Sequence, residues 1–396
     1  MTMTPVPVAP EATNLALRRL ASLLRPVDGP DDATIWVHEV LPRGLTLPGL
    51  LAAAARREWM LQRVRRRAGA RRERLEIHRC RPGMTRTGPR ARVLGFLRSG
   101  AVVELSATRG ARDIDRIAEA CGASLRGDVH VGAGGVVRAD ATIAGRPALL
   151  RIAGNDADLA PHLQALHRLG GTAGCVPRLL TCGSSETSAW TAESVLPGRR
   201  PRRLTPSLFA DAVAFECSLP RAAVAAASLR PDLMAMADLF PPHESRLTRL
   251  ADAVDAGLQH VPSVVGHGDL WSGNLLVRDG RLSGVVDWDA YSDCVVPGVD
   301  LLHLFATEVS IRLRRPRGTI FLDHPWAGEE FRDATSAYWR AIGIRLTPAL
   351  LASVSVAWWA RQTMADLRRN PWLCDDARWV SANIDDVVEG HMHERL

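Results

Sequence analysis

The sequence predicts an α+β fold in which a small antiparallel sheet is followed by a larger and mainly helical part. Short apolar runs separated by glycine turns fill residues 123–196, as expected for hairpins, whereas apolar positions recur at helical spacing within residues 197–396. Residues 31–122 carry both patterns, which indicates an appended N-terminal α/β segment. Residues 1–30 are rich in proline, alanine and threonine, and we expect a disordered tail there.

The appended segment is predicted to begin with a helix, because apolar positions recur at helical spacing over residues 33–67. Apolar runs then predict three strands, at 74–78, 91–97 and 101–106. A helix over 113–121 follows and ends at Gly122, since glycine commonly terminates helices. No pattern in this segment predicts a chemistry.

The small lobe, residues 123–196, is predicted to start as a strand, a glycine turn and a second strand around Gly132, Gly134 and Gly135. Backbone amides of such a turn can cradle phosphates, although an ordinary β-turn is an equally good interpretation of the glycines alone. The remaining elements of the lobe are a hairpin, a helix and two strands, predicted at 141–152, 158–169, 176–182 and 188–193.

The large lobe, residues 197–396, is expected to be mainly helical around one central hairpin. Trp358, Trp359, Met364 and Leu367 recur at helical spacing, which predicts a buried helix face more readily than a ligand-binding surface.

The most informative string is His267-Gly268-Asp269-Leu270-Trp271-Ser272-Gly273-Asn274, which is followed by Val285-Val286-Asp287-Trp288. Asp279-Gly280 lies between two apolar runs and predicts a two-residue type I′ turn. Such a turn would place Asn274 opposite Val285. Because side chains alternate along a strand, Asp287 would then share a face with Asn274.

Three polar side chains of this unit suit phosphoryl transfer from a metal-bound nucleotide. Asn274 and Asp287 offer the oxygen ligands that Mg²⁺ prefers, and substrate phosphates usually complete its shell. Asp269 precedes the hairpin, where it could accept or orient the proton of an acceptor hydroxyl. The spacing parallels the kinase pattern of His-x-Asp, four residues, Asn and a later metal-binding Asp. Acidic residues near Asp-Gly hairpins are common, but the combination of Asp269, Asn274 and Asp287 at this spacing is uncommon.

The same string resembles the aminoglycoside phosphotransferase and choline kinase-like family. Members carry His-Gly-Asp, four residues and Asn, followed by an Ile/Val-Asp-Trp string. The resemblance implies a two-lobed protein-kinase-like fold with Asp269 as the catalytic base, Asn274 and Asp287 as magnesium ligands, and ATP as the cofactor. It also implies that His267 and Asp300 give structural support to the catalytic loop.

The small lobe departs from this family in two places. Arg151 stands where the family has a lysine that holds the α- and β-phosphates, and arginine is not an equivalent exchange at a tight site. The partner glutamate is missing from the following helix, where His162 lies near its position and Asp158, one turn earlier, could substitute. Glu193, Ser194 and Val195 resemble the family's hinge between the two lobes, where the backbone would contact the edge of the adenine ring. The alternative is an ordinary strand end before a Pro-Gly turn.

Composition restricts the class of protein. The 396 residues are 46% hydrophobic and 23% charged, which is ordinary for a globular chain. We find no apolar run of the ~20 residues that a membrane span needs, and no secretory signal pattern at the N-terminus. Seven scattered cysteines without a Cys-x-x-Cys pair predict a reducing cytoplasm, and argue against a disulfide framework or a zinc site.

The net charge of +7 comes from arginine alone, because the chain contains no lysine. Arginines concentrated between Arg56 and Arg98 fit either an anionic partner or a solvated helix face. We favour the solvated face over nucleic acid, because aromatic residues do not interleave with these arginines as in a base-stacking platform.

These observations predict a cytoplasmic phosphotransferase that uses ATP and Mg²⁺ and acts on a hydroxyl of a small molecule, such as a sugar or a natural product. Arg151 and the glycine turn would steady the phosphates. The alternative is a pseudokinase or scaffold whose arginine-rich N-terminal segment binds an anionic partner, and the missing lysine–glutamate pair favours it. Neither interpretation identifies the acceptor or the oligomeric state.

Overall fold

The computed structural model describes the backbone of residues 35–39, 76–80, 101–105, 113–131, 136–154, 159–185, 188–221 and 230–395. The predicted tail, the strand predicted at 91–97 and the glycine turn at 132–135 lie outside these residues. So does most of the predicted helix over 33–67, but its early part, Ile35–Glu39, is a strand (β1), and the helix prediction is wrong there. Two β-branched residues at alternate positions, Ile35 and Val37, give the strand preference that the broader periodicity concealed.

β1 belongs to a three-stranded antiparallel sheet with β2 (Glu76–Cys80) and β3 (Ala101–Leu105), in the order β1-β3-β2. Two of the predicted strands are therefore confirmed, the first with boundaries two residues too early. The predicted helix follows as α1 (Asp113–Ala120), and Gly122 ends it with a φ of 61°.

A five-stranded antiparallel sheet follows α1, in the order β4-β5-β6-β8-β7. Its strands are β4 (Ala123–Val131), β5 (Val137–Ile143), β6 (Arg146–Ala153), β7 (Leu179–Ser184) and β8 (Ala189–Ser194). Ala144 and Gly145 join β5 to β6 with φ values of 48° and 75°, which a type I′ turn requires, so the predicted hairpin is confirmed. Helix α1 packs on this sheet through Ile114 and Ile117, and helix α2 (Ala160–Leu169) follows β6 in sequence.

The chain beyond the sheet is mainly helical, as predicted. Its helices are α3 (Pro206–Ser218), α4 (Arg230–Leu239), α5 (Glu244–Leu258), α6 (Val299–Leu313), α7 (Arg317–Asp323), α8 (Glu329–Ala341), α9 (Pro348–Arg369), α10 (Ala377–Val380) and α11 (Asp386–Arg395). Two antiparallel strand pairs lie among them: β9 (Val264–Gly266) with β12 (Ser292–Val295), and β10 (Leu275–Arg278) with β11 (Arg281–Val285).

Helix α9 is a central support of this helical part. Thr347 caps its N-terminus by accepting a hydrogen bond from Leu350 N at 3.1 Å, and a proline occupies its first turn, as is common in helices. The predicted core positions Trp358, Trp359, Met364 and Leu367 are all buried, which confirms the predicted helix face.

The chain divides into two compact units. One unit contains Gln164–Pro177 and Leu196–Leu396 and is mainly helical. The other contains the three-stranded and the five-stranded sheet, and its last stretch is Arg178–Val195. The predicted α+β class is confirmed. In the described part of the chain, none of the helices combines the length and apolar character needed to cross a bilayer.

Candidate active site

A buried carboxylate holds the loop of residues 267–274, which follows β9. Asp300 lies in the first turn of α6 and is buried. Its Oδ2 accepts a hydrogen bond from His267 N at 2.6 Å, and its Oδ1 accepts one from Gly268 N at 3.0 Å. Because one buried side chain accepts both hydrogen bonds, Asp300 fixes the start of the 267–274 loop.

Gly268 takes a backbone conformation that favours glycine. Its φ is 82°, and an added Cβ would lie 2.1 Å from the carbonyl oxygen of Ala290. Helix α9 holds both partners: Gln362 Nε2 donates to Gly268 O at 2.9 Å, and Arg361 donates to Ala290 O at 3.2 Å. Sequence reasoning missed these contacts, although two adjacent polar residues beside an apolar helix face are a usable signal.

His267 ties the loop to the end of β11. Its Nδ1 accepts a hydrogen bond from Asp269 N at 3.3 Å, so the ring proton lies on Nε2, which donates to Val286 O at 3.1 Å. The ring packs on Trp288 with centroids 4.5 Å apart, and both side chains are fully buried. These contacts connect the 267–274 loop to the strand that precedes Asp287.

The hairpin between the two predicted metal ligands has the expected turn and an unexpected bulge. Asp279 and Gly280 have φ values of 53° and 78°, as a type I′ turn requires. The register then shifts, because Leu276 and Val277 are adjacent in β10 while their partners in β11 lie on either side of Ser283. One extra residue in β11 displaces all later pairs by one position.

The bulge makes the predicted pairing of Asn274 with Val285 wrong. Leu275 lies opposite Val285, and Asn274 O accepts a hydrogen bond from Val286 N at 2.9 Å. Asn274 is therefore next to the residue that precedes Asp287. Simple strand alternation therefore does not place the side chains of Asn274 and Asp287 on one face.

The side chain of Asn274 has a defined orientation. Its Nδ2 donates to Asp269 O at 2.9 Å, and because only the amide nitrogen can donate, Oδ1 points elsewhere. Asp287 is half-buried and has a φ of 71°, which is uncommon outside glycine. Residues held in this region concentrate at functional sites, where the surrounding structure compensates the strain.

Asp269, the predicted base, is more exposed than the buried Asn274. Its side chain is 27% exposed, and its Oδ1 lies 3.2 Å from His303 Nε2 on α6. Burial raises the pKa of the Asp269 carboxyl, but the hydrogen bond from His303 and the positive charge of Arg369 lower that pKa below its ordinary value. Asp269 is therefore ionised at neutral pH. Sequence reasoning missed His303, although it lies three residues after Asp300 on the same helix.

In the sheet unit, Arg151 is paired in a way that the sequence did not predict. Arg151 Nε lies 3.3 Å from Glu193 Oε1, and His162 Nε2 lies 2.7 Å from Glu193 Oε2. Arg151 is only 2% exposed, and the other two side chains are also buried. An ion-pair partner of Arg151 thus comes from β8, and the side chain of Glu193, predicted at the hinge, is engaged here.

The other predicted nucleotide residues are placed as follows. Ser194 Oγ accepts a hydrogen bond from Arg178 N at 2.9 Å, and Val195 is exposed. Gly132, Gly134, Gly135 and Asp158 lie outside the described residues.

The sequence match decides the family. Residues 141–341, just over half of the chain, match the phosphotransferase enzyme family. The chain is a member of this family. The matched stretch contains the 267–274 loop, Asp287, Asp300, and the Arg151–Glu193 pair. Membership confirms the predicted family, the predicted enzyme class and the kinase-like fold class. The comparison with curated proteins gives no match.

Several solved phosphotransferase structures resemble this one. The macrolide 2'-phosphotransferase MphH from Brachybacterium faecium is 18% identical, with a TM-score of 0.45 over 68% of this chain and 97% of that chain. A thermostable mutant of the aminoglycoside phosphotransferase APH(4)-Ia, in complex with ADP and hygromycin B, is 16% identical, with a TM-score of 0.44 over 69% and 97%. The aminoglycoside phosphotransferase APH(3'')-Id from Streptomyces rimosus is 18% identical, with a TM-score of 0.42 over 61% and 92%.

The two predicted metal ligands of this phosphotransferase, Asn274 and Asp287, suit a magnesium ion whose remaining ligands are phosphate oxygens. No group of three or more His, Cys, Asp or Glu side chains in the described residues is arranged to hold a metal ion by itself. Magnesium bound with nucleotide needs only one or two protein oxygens. The oriented amide oxygen of Asn274 and the carboxylate of Asp287 have the required chemistry.

A second buried acid of the phosphotransferase, Glu216, is influenced by the charge of Asp300. Glu216 lines a cavity together with Tyr338, whose hydroxyl accepts a hydrogen bond from Gly298 N at 3.1 Å. Burial, and then the negative charge of Asp300, raise the pKa of Glu216 well above its ordinary value. The neutral acid is therefore favoured at Glu216.

We expect Gly268→Ala to destabilise the phosphotransferase more than Gly343→Ala does. Both glycines have positive φ, but only a Cβ at residue 268 meets backbone atoms, whereas nothing lies within 4 Å at Gly343. The difference in unfolding free energy should be about 1–3 kcal/mol, the usual cost of overpacking. Urea denaturation of both variants measures it. Equal midpoints and slopes would mean that the close approach to Ala290 is not a constraint.

We expect Glu193→Gln to destabilise the chain by about 3–5 kcal/mol, because the buried Arg151 would lose the charge of Glu193. The exposed Glu119→Gln, as a control, should change stability by less than about 0.5 kcal/mol.

The pairing of Glu193 with Arg151 and His162 predicts that the stability of the chain depends on pH. Burial raises the pKa of Glu193, but the hydrogen bond from His162 and the charge of Arg151 bring it below its ordinary value of 4.5. The stabilisation is therefore complete above pH 4.5 and is lost as the pH falls through the lower folded-state pKa. Thermal unfolding from pH 7 to pH 3 should show the gap between wild type and Glu193→Gln closing on the acid side. A gap that widens there would contradict the pairing.

Proposed function

We propose that this phosphotransferase moves the γ-phosphoryl group of ATP to a hydroxyl of a small molecule, with Asp269 as the base and with Asn274 and Asp287 as ligands of Mg²⁺. The proposal keeps the sequence-based assignment of Gly132, Gly134, Gly135, Arg151, Glu193, Ser194 and Val195 to the nucleotide. For Glu193 the assignment is restricted to the backbone, because its carboxylate pairs with Arg151.

The observation that carries the proposal is the contact between Asn274 and Asp269. The Asn274 amide donates to the backbone carbonyl of Asp269, which turns its own oxygen away and leaves the Asp269 carboxylate partly exposed. A base and a metal ligand are thus positioned by one hydrogen bond. Phosphoryl transfer depends mainly on such positioning and on neutralising charge.

The proposed reaction assigns each proton and electron pair. The acceptor oxygen forms a bond to the γ-phosphorus, and its proton moves to the Asp269 carboxylate. The bond between the γ-phosphorus and the bridging oxygen breaks, and the electron pair leaves with ADP. Magnesium, when bound, neutralises charge on the phosphate oxygens.

A second candidate is a scaffold that has lost nucleotide binding. It is favoured by one observation: Arg151 is 2% exposed and paired with Glu193, so a guanidinium replaces the family's lysine in a buried ion pair. The intact set of Asp269, Asn274 and Asp287 supports the enzyme instead, because a scaffold has no need for a base beside an oriented metal ligand.

We expect Asp269→Asn to lower kcat by about 10²- to 10⁴-fold, the range that a general base contributes. The fold should be unchanged, because an amide oxygen can still accept the hydrogen bond from His303. ADP release from MgATP, measured with a panel of sugars, amino alcohols and aminoglycosides as acceptors, reports the loss.

The matched control for this substitution is Asp279→Asn. Asp279 is 90% exposed in the hairpin turn, where asparagine is equally suitable. Normal turnover is expected in this control, and normal turnover in Asp269→Asn as well would refute the base assignment.

We expect Asp287→Asn to remove the Mg²⁺-dependent part of ATP binding. Asparagine tolerates the left-handed conformation of this residue, so the change removes charge with little strain. In wild type, MgATP at ~100 times its Kd should add about 2.7 kcal/mol of stability, visible as a rise in Tm. A variant with wild-type affinity would contradict the metal assignment, and a flat response in wild type would favour the scaffold.

A further inference from the structure

His303 lies on α6 at the point where this helix meets the proposed base. It follows Asp300 by three residues, so both project from one face of the helix. Asp300 holds the backbone of the 267–274 loop, while His303 Nε2 lies 3.2 Å from Asp269 Oδ1. His303 is only 3% exposed. One helix face therefore fixes both the path of the loop and the side chain that the loop presents.

The protonation state of His303 follows from its other neighbours. Trp358 Nε1 lies 3.1 Å from His303 Nδ1, and an indole nitrogen can only donate. Nδ1 must therefore carry a lone pair, which leaves the single ring proton on Nε2. That proton points to Asp269 Oδ1. Thr307 Oγ1, 3.2 Å from the same Nδ1, can donate its hydroxyl proton there as well.

An imidazolium at this place would be poorly accommodated. A second ring proton on Nδ1 would face the Trp358 N–H directly, and both groups are buried, so water could not separate them. The opposite neutral tautomer is disfavoured too, because it would place an Nε2 lone pair against the Asp269 carboxylate. Trp358 and Asp269 together select one form of the ring.

The hydrogen bond also distinguishes the two carboxylate oxygens of Asp269. Oδ1 is occupied by His303, whereas none of the described residues donates a hydrogen bond to Oδ2. The side chain remains 27% exposed, so a substrate can reach it. A carboxylate held by one oxygen has a fixed rotation, which directs the other oxygen.

We propose that His303 is a positioning residue, kept by Trp358 and Thr307 as the neutral Nε2–H tautomer, that holds Oδ1 of Asp269 so that Oδ2 receives the proton of the acceptor hydroxyl. This inference rests on the proposed function, because it assumes that Asp269 is the base. His303 keeps its own proton throughout the reaction. The acceptor proton ends on Oδ2, and the imidazole neither gains nor loses charge.

The tautomer can be tested by NMR on the full chain without nucleotide or acceptor. In ¹⁵N-labelled protein at pH 8, we expect a scalar coupling across the hydrogen bond between Trp358 Nε1–H and His303 Nδ1, since that coupling requires a lone pair on Nδ1. His303→Gln identifies the signal by removing it. A folded wild-type chain without the coupling, or with a proton on Nδ1, would overturn the proposal.

The positioning role can be tested by two substitutions at His303. Gln can place an amide N–H near the position of Nε2, whereas Leu fills similar space without a donor. We expect His303→Leu to lower kcat by roughly 100-fold, the scale of a small misplacement, with little change in the KM for MgATP. His303→Gln should recover most of the activity. Circular dichroism and urea unfolding must show both variants folded.

Equal losses in folded His303→Leu and His303→Gln variants, or full activity in His303→Leu, would overturn the positioning role. Thr307→Val provides a second test with little risk to the fold, because Trp358 still donates to Nδ1, and it should reduce kcat less than His303→Leu. A larger loss in Thr307→Val would contradict the assignment of Trp358 as the main donor. A wild-type chain that transfers no phosphoryl group would refute the proposed function, and the positioning role with it, whatever tautomer NMR finds.

Discussion

The carboxylate of Asp300 is the constraint on which the site depends. It accepts hydrogen bonds from two successive backbone N–H groups, and these fix a loop whose second residue, Gly268, has a positive φ. Without that buried acceptor, the two N–H groups would be left without partners at substantial cost. The loop is therefore held by one buried side chain that accepts both hydrogen bonds, which suits a site that must keep its geometry.

Two helices orient the 267–274 loop. Helix α6 contacts the 267–274 loop through Asp300 and His303, and helix α9 contacts it through Gln362 and, by way of His303, through Trp358. Both helices belong to the mainly helical unit and are packed in its core. Buried helices thus hold the side chain of Asp269 in a fixed orientation, while the loop that carries it stays partly accessible.

The sequence predicted the class of fold, because glycine turns and helical periodicity are local patterns. The spacing of Asp269, Asn274 and Asp287 is also a local pattern, and the roles that it predicts for them stay proposals. Sequence reasoning failed where distant residues decide the outcome. The β-bulge at Ser283 changed the register of the hairpin, and no turn rule reports a bulge inside a strand. The Arg151–Glu193 pair joins two strands 42 residues apart, so a search along the following helix for a glutamate found none.

In the mechanism that we propose, Asn274 and Asp287 hold one divalent ion beside Asp269. A crystal structure of the full chain with Mg²⁺ and a non-hydrolysable ATP analogue tests it most directly. We expect one magnesium ion at about 2.0–2.1 Å from Asn274 Oδ1 and from an Asp287 carboxylate oxygen, with phosphate oxygens completing its shell. A nucleotide bound with its metal away from these two side chains, or no bound metal at saturating Mg²⁺, would contradict the account.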